Sequence, residues 1–221
     1  MASARLSRFL APEPSNAELF DDHRFRTLLS DKDWGRLPVA IWRRFSTRLG
    51  DGKTIVYIGE VDEACCSGIG WWLAQVARVI GGPLPISYET GGPAIVTVTE
   101  NAQAGGQIWT RIYARNGRFP QVIHSCKRFC GPTGLEEYVG FGVSMALRVS
   151  VANDALVFHS TEYSLRIGRL RLPLPEWLTP GPLTVSHADL GGGEFRFTLE
   201  ITHPRFGRLL RQSAKFREAA S

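Results

Sequence analysis

The sequence is short of most features that announce a function. No apolar run in its 221 residues reaches the ~18 that a membrane-spanning helix needs. Cysteine is scarce: Cys65, Cys66, Cys126 and Cys130, two of them adjacent, make no disulfide framework and suit a reducing compartment. There is no Walker loop, and Gly140-Phe141-Gly142 lacks the third glycine and the following helix of a dinucleotide fingerprint. No CxxC pair exists. His124-x-Cys126-x-x-x-Cys130 offers ligand types but not a zinc set. Gly142-Val143-Ser144-Met145-Ala146 loosely echoes a nucleophile elbow, yet two-residue alternation runs straight through Ser144, where an elbow needs a strand, a turn and a helix. Repeats and low-complexity tracts are missing as well. The expectation is therefore no metal, no cofactor and no nucleotide bound by this chain alone.

What is present is an ordinary globular composition, 43% hydrophobic and 21% charged. A chain of this length buries roughly 70% of its unfolded surface and needs no staple. Lys and Arg number 26 against 21 Asp and Glu, a net charge of +5 spread thinly, so nucleic acid is not an expected partner. Arg205, Arg208, Arg211, Lys215 and Arg217 are concentrated near the C-terminus; gatekeeper charges on an exposed strand edge fit them better than contact with phosphates or an anionic membrane. Residues 1–14 read as a flexible leader ending in Ala11-Pro12-Glu13-Pro14, residues 15–217 as a single domain and residues 218–221 as a tail. A cytoplasmic location is expected.

Helical signals come first. Ser15 with Glu18 resembles a capping box, with Leu19, Phe20, His23, Leu28 and Leu29 on a rough apolar face. Pro38 opens a second helix through Arg48, with Val39, Trp42 and Phe45 at helical spacing. Lys53 to Val61 is a strand by composition. Asp62 then caps a strongly apolar helix reaching about Ile80, opened by Cys65-Cys66, which read first as buried packing thiols and second as thiols whose pKa a helix N-terminus lowers. Ile69, Trp72, Leu73, Val76 and Ile80 line one face, which suits core; an interfacial membrane helix anchored by Trp71-Trp72 is the alternative.

From Ala94 onward the period is two. Ala94–Glu100 pairs with Gln107–Arg115, and Phe119–Arg128 follows the hairpin dipeptide Asn116-Gly117. Tyr138–Val151 reads as one strand with Phe141, Val143, Met145, Leu147, Val149 and Val151 inward. Asn153-Asp154 turns into Ala155–Ile167; Leu183–Leu190 and Glu194–Thr202 flank Gly191-Gly192-Gly193; Phe206–Phe216 is the last strand. The fold class is thus α+β: two or three N-terminal helices, then a strongly curved, mostly antiparallel sheet of about eight strands, or a partly closed barrel holding a cavity.

A spaced set of short motifs adds to this. It comprises Leu28-Leu29, Trp34, Leu37-Pro38, Gly81 with Pro83, Trp109-Thr110-Arg111-Ile112-Tyr113, Glu137-Tyr138-Val139-Gly140, the run Leu172 to Pro180 and His203-Pro204-Arg205-Phe206-Gly207. In this order they resemble the bacterial domain of unknown function 4166, over roughly residues 24 to 217. The resemblance implies bacterial origin and, because members are fused to saccharopine-dehydrogenase-like proteins, an oxidoreductase partner acting in trans. It implies no activity.

Trp109, Arg111 and Tyr113 alternate along one strand face, an arrangement that suits an anionic group between ring walls, or a surface cation–π ladder. Glu137 would pair with Arg111 or serve as a carboxylate catalyst. His159 and Tyr163 alternate on a partly polar strand and are candidate hydrogen-bond donors to a cavity. Three functions compete: a non-catalytic binding module for an amphipathic or lipid-like small molecule, ranked first; an accessory domain docking on an oxidoreductase; and an acid/base enzyme built from Glu137, His159 and Arg111. Peripheral membrane contact is the less favoured option.

Overall fold

A computed structural model describes residues 20–79, 84–86 and 89–219. In chain order the elements are β1 (Phe20–Asp21), α1 (Asp31–Trp34), α2 (Val39–Ser46), β2 (Thr47–Arg48), β3 (Thr54–Cys66), α3 (Gly68–Val79), β4 (Pro93–Asn101), β5 (Gly106–Arg115), β6 (Arg118–Arg128), β7 (Glu136–Gly140), β8 (Val143–Ala152), β9 (Ala155–Ile167), β10 (Leu170–Pro173), β11 (Leu183–Gly191), β12 (Glu194–His203) and β13 (Gly207–Glu218). Short 3-10 turns occupy Arg26–Leu28 and Glu176–Leu178.

From β3 to β9 each strand pairs antiparallel with the next, β9 passes to β11, and β13 returns to β3. The result is a closed ten-strand antiparallel barrel; β10 is a hairpin partner on the far end of β9. Closure leaves the ring without a free edge strand. The expected curved sheet is therefore correct in kind, but with more strands, and the molecule is mostly β. One turn shows how local chemistry sets the register: Asn153 and Asp154 both take positive φ (50° and 56°) between β8 and β9, matching a two-residue hairpin turn.

The inward row of each strand makes the core. One cluster joins Phe25, Ile41 and Phe45 of the N-terminal segment to Leu147, Leu156 and Phe158. A second joins Tyr57, Val96, Trp109, Phe195 and Phe216. At the lower end, which holds the turns after β4, β6, β8 and β11, the N-terminal segment is the plug. Phe45 meets Phe25 and His187 edge-on, and Asp22, Arg24, Arg48 and Glu100 form an ion-pair network. At the upper end, α3 starts on β13 and finishes beside the β5–β6 turn, where Arg78 shares a groove with Arg115 and Phe119.

Several expectations change. The helix expected from Ser15 to about Leu29 begins outside the described residues and does not form within them: Phe20–Asp21 pairs with Thr47–Arg48, and only Arg26–Leu28 is helical, as a 3-10 turn. On α2 the buried residues are Ile41 and Phe45, whereas Val39 and Trp42 are exposed. β3 does not stop at Val61 but continues through Cys65-Cys66, because Ala64, Cys65 and Cys66 find backbone partners in Gln212, Arg211 and Leu210 across a bulge. Those cysteines therefore end a strand; Ser67 caps α3, accepting from the Gly70 amide at 3.0 Å. The expected inner face of α3 is largely its outer face: Ile69, Trp72 and Val76 are exposed, and Gly70 and Ala74 are buried. Small residues let the helix approach closely, since a Cβ on Gly70 would lie 2.1 Å from the Leu209 carbonyl oxygen. Ile80 and the stop at Gly81-Gly82-Pro83 lie outside the described residues. Finally, Tyr138–Val151 is two strands: Gly140, Phe141 and Gly142 all have positive φ and form a turn, which leaves Phe141 exposed.

Candidate functional site: a charged cavity inside the barrel

On β5 the inward row is Gln107, Trp109, Arg111 and Tyr113; on β6 it is Gln121, Ile123, Ser125 and Lys127. Register places Ser125 beside Trp109 and Lys127 beside Glu137 of β7, and Glu137 beside Met145 of β8. Three neighbouring strands thereby bring three charges together. Lys127 Nζ lies 2.9 Å from one Glu137 oxygen and Arg111 lies 3.4 Å from the other. A second Arg111 nitrogen donates to Ser125 Oγ at 3.0 Å. Lys127 is buried, with the Trp109 and Phe158 rings 5.1 and 5.3 Å from its ammonium.

These groups line a cavity of about 100 Å³ whose apolar side includes Val96, Ile123, Phe197, Leu199 and Phe216. Leu84 and Pro85 also line it, held in place by Gln121, whose side-chain amide donates to the Leu84 carbonyl (2.8 Å) and accepts from the Ile86 amide (3.2 Å). For scale, a dry cavity of ~150 Å³ accommodates benzene. The space therefore suits a molecule of a few heavy atoms, polar at one end.

Electrostatics of the site follow from burial and neighbours. Burial alone raises the Glu137 carboxyl, but Lys127 and Arg111, with Ser125, outweigh it and hold the group down at about 2. Burial lowers Lys127, Glu137 opposes that shift, and Arg111 adds to it. With all three charged the cluster carries one positive charge in excess. Trp109 Nε1 and Gln212 Nε2, both on cavity-lining side chains, are buried without a hydrogen-bond partner among the described residues. The cavity wall is thus rich in donors relative to acceptors.

Of the residues singled out from sequence, Trp109, Arg111, Tyr113 and Glu137 all line this cavity. Burial raises the Tyr113 phenol. Tyr163 sits opposite Met145; its hydroxyl donates to the Gly181 carbonyl (3.1 Å), and burial pushes it up to about 12. His159 is elsewhere. It pairs with Arg148 and Thr184 in register and bonds Ser150 Oγ at 3.1 Å, on the face opposite buried Phe158. A register shift opposite Ala146/Leu147 separates His159 from Tyr163, so their even spacing does not put them on one face. The Glu137, His159 and Arg111 acid/base trio therefore does not assemble. Lys127 was missed; the alternation Gln121, Ile123, Ser125, Lys127 was the signal for it. β13 is paired on both sides, with β12 and β3, so it is not the exposed edge expected for gatekeeper charges; Arg208 and Arg211 pair with Glu200, and Arg211 also with Glu63, on the barrel wall.

A closed antiparallel barrel with a positively biased internal cavity is compatible with a binding module, and architecture alone assigns no ligand. The signature of the domain of unknown function DUF4166 matches residues 37–216, and the chain belongs to that family. No curated protein matches the chain. No solved structure matches it either. Among the described residues, no helix is long and apolar enough to cross a membrane.

Proposed function

We propose that the protein is a binding module that holds a small amphipathic anion inside the barrel, with the anionic group on Arg111 and Lys127 and the apolar part against Val96, Phe197 and Phe216. The observation carrying this reading is the excess of cations and unpartnered donors around one enclosed space: Arg111, Lys127, Trp109 Nε1 and Gln212 Nε2 against the single carboxylate Glu137. A purely structural ion pair is balanced one to one. Here the second cation and the two spare N–H groups are costly to bury unless an acceptor joins them. The volume favours a short chain, so a monocarboxylate or phosphate monoester with a tail of a few carbons fits better than a long lipid.

The test is calorimetric titration with butyrate, ethyl phosphate and the neutral butanol. Binding of one or both anions is expected, with butanol much weaker. Arg111→Gln should weaken anion binding about tenfold or more, which corresponds to ~1.4 kcal/mol or more. Equal binding of butanol and the anions, or an Arg111→Gln affinity unchanged from the native chain, would sink the reading.

A further inference from the structure

The meander places the turns after β3, β5, β7, β9 and β12 at the upper end of the barrel, and this end is unusually apolar outside. The outer face of α3 carries Ile69, Trp72, Val76 and Val79, of which Trp72 is 68% and Val79 80% exposed. The adjoining turns add Phe119 after β5, Phe141 after β7, Ile167 and Leu170 around the β9–β10 turn, and Phe206 after β12. Trp177, on the connection from β10 to β11, is 81% exposed. Soluble proteins seldom leave so many large side chains bare at one end without a surface for them.

The charges at this end have one predominant sign. Arg78, Arg118, Arg166, Arg169 and Arg205 are exposed around the apolar residues. Among the nearby acids, Glu63, Glu162 and Glu200 are each engaged by an arginine of a neighbouring strand, and Asp62 by Arg196 two strands away. Glu89 accepts from the Asn116 amide, and Glu176 is exposed. α3 itself contains no acid.

We infer that the upper end docks on an anionic phospholipid bilayer, with α3 lying in the interface plane. Tryptophans beside exposed aliphatic side chains, rimmed by arginines, match the chemistry of a headgroup layer: apolar side chains enter the acyl boundary, indole rings sit at headgroup depth, and guanidinium groups meet lipid phosphates. Charge complementarity selects this occupant over a second copy of the chain, which would bring the same arginines face to face. The inference is independent of the cavity ligand and stands or falls by itself.

Co-sedimentation of the full chain with vesicles tests it. Vesicles of equimolar phosphatidylcholine and phosphatidylglycerol should retain the protein, phosphatidylcholine alone should retain far less, and added salt should release it. Trp72→Ser combined with Val79→Ser should abolish retention. Arg118→Glu or Arg169→Glu should each reduce partitioning about fivefold or more. All four positions are exposed, and unchanged thermal melting would confirm that the fold persists. No retention by the anionic vesicles would overturn the proposal, as would retention indifferent to Trp72→Ser/Val79→Ser. So would a concentration-dependent dimer that the same double substitution disperses, for then the face is a contact between copies of this chain.

Discussion

Lys127 and Glu137 face each other across β6 and β7, 2.9 Å apart inside the barrel, and Arg111 holds the second carboxylate oxygen. One carboxylate thus serves two cations, Lys127 almost fully buried and Arg111 about one-fifth exposed. Removing it leaves both cations uncompensated. Glu137→Gln should destabilise the native state by roughly 3–5 kcal/mol at pH 7, as breaking a buried pair usually does. Urea denaturation measures it. In the same variant, if the cavity takes anions, butyrate should raise the denaturation midpoint more than it does for the native chain.

Acid should expose the same carboxylate. Its folded pKa is about 2 against an ordinary 4.5, so between these values the unfolded chain binds the extra proton. The stabilisation is full above pH 4.5 and is lost as pH falls through 2, amounting to about 3 kcal/mol. Denaturation series at several pH values should show this step, and Glu137→Gln should lack it.

His187 makes a step at higher pH. It is buried, stacked on Phe195, and its Nε2 lies 3.2 Å from Arg44. A guanidinium only donates, so Nε2 accepts and the ring is the neutral Nδ1–H tautomer. Burial first, then Arg44, push its pKa down from 6.5 to about 3. The unfolded histidine takes up a proton below 6.5 while the folded one does not. Stability should fall progressively from pH 6.5 to 3, by up to ~5 kcal/mol. His187→Gln should flatten this slope in a pH series of urea midpoints, whatever it does to stability at pH 7.

The seat of α3 depends on a missing side chain. Gly70→Ala would place a Cβ 2.1 Å from the Leu209 carbonyl oxygen and 3.2 Å from Cys66 Sγ. The helix must move, at a cost of about 1–3 kcal/mol. Thermal melting should report the loss, and hydrogen exchange should report faster opening in residues 68–79.

Thiol labelling should separate the cysteines by structure. Cys65 is exposed and should react first with a neutral thiol reagent. Cys130 is exposed too, but partial burial of its thiol and the neighbouring Glu136 push it up, so it should follow more slowly. Cys126 is buried on β6 and should react only on unfolding. Mass spectrometry of peptides from a labelling time course reads the order.

Much of the barrel was legible because period-two patterning is local. Phe195, Phe197, Leu199 and Ile201 mark the inner face of β12 without help from elsewhere, and Trp109, Arg111 and Tyr113 share a face in the structure as their spacing requires. Glycine and helix patterns misled where a neighbour overrode them. The alternation from Tyr138 to Val151 concealed a turn, since Phe141 adopts a φ of 46° that its apolar character gives no hint of. The stripe on α3 read as core, yet the helix packs through Gly70 and Ala74, because a close approach to the Leu209 backbone excludes large side chains.

By itself the sequence determined the run of antiparallel strands, the hairpin at Asn153-Asp154, the presence of a helix after Pro38 and the polar-aromatic row on β5. Each rests on interactions between residues close along the chain. Only the tertiary structure decided that β13 meets β3 to close the ring, that Lys127 joins Arg111 on Glu137, and that α3 turns its tryptophans outward. Those outcomes depend on strand register and on contacts between distant segments, where a one-residue bulge moves a side chain from the cavity to the surface.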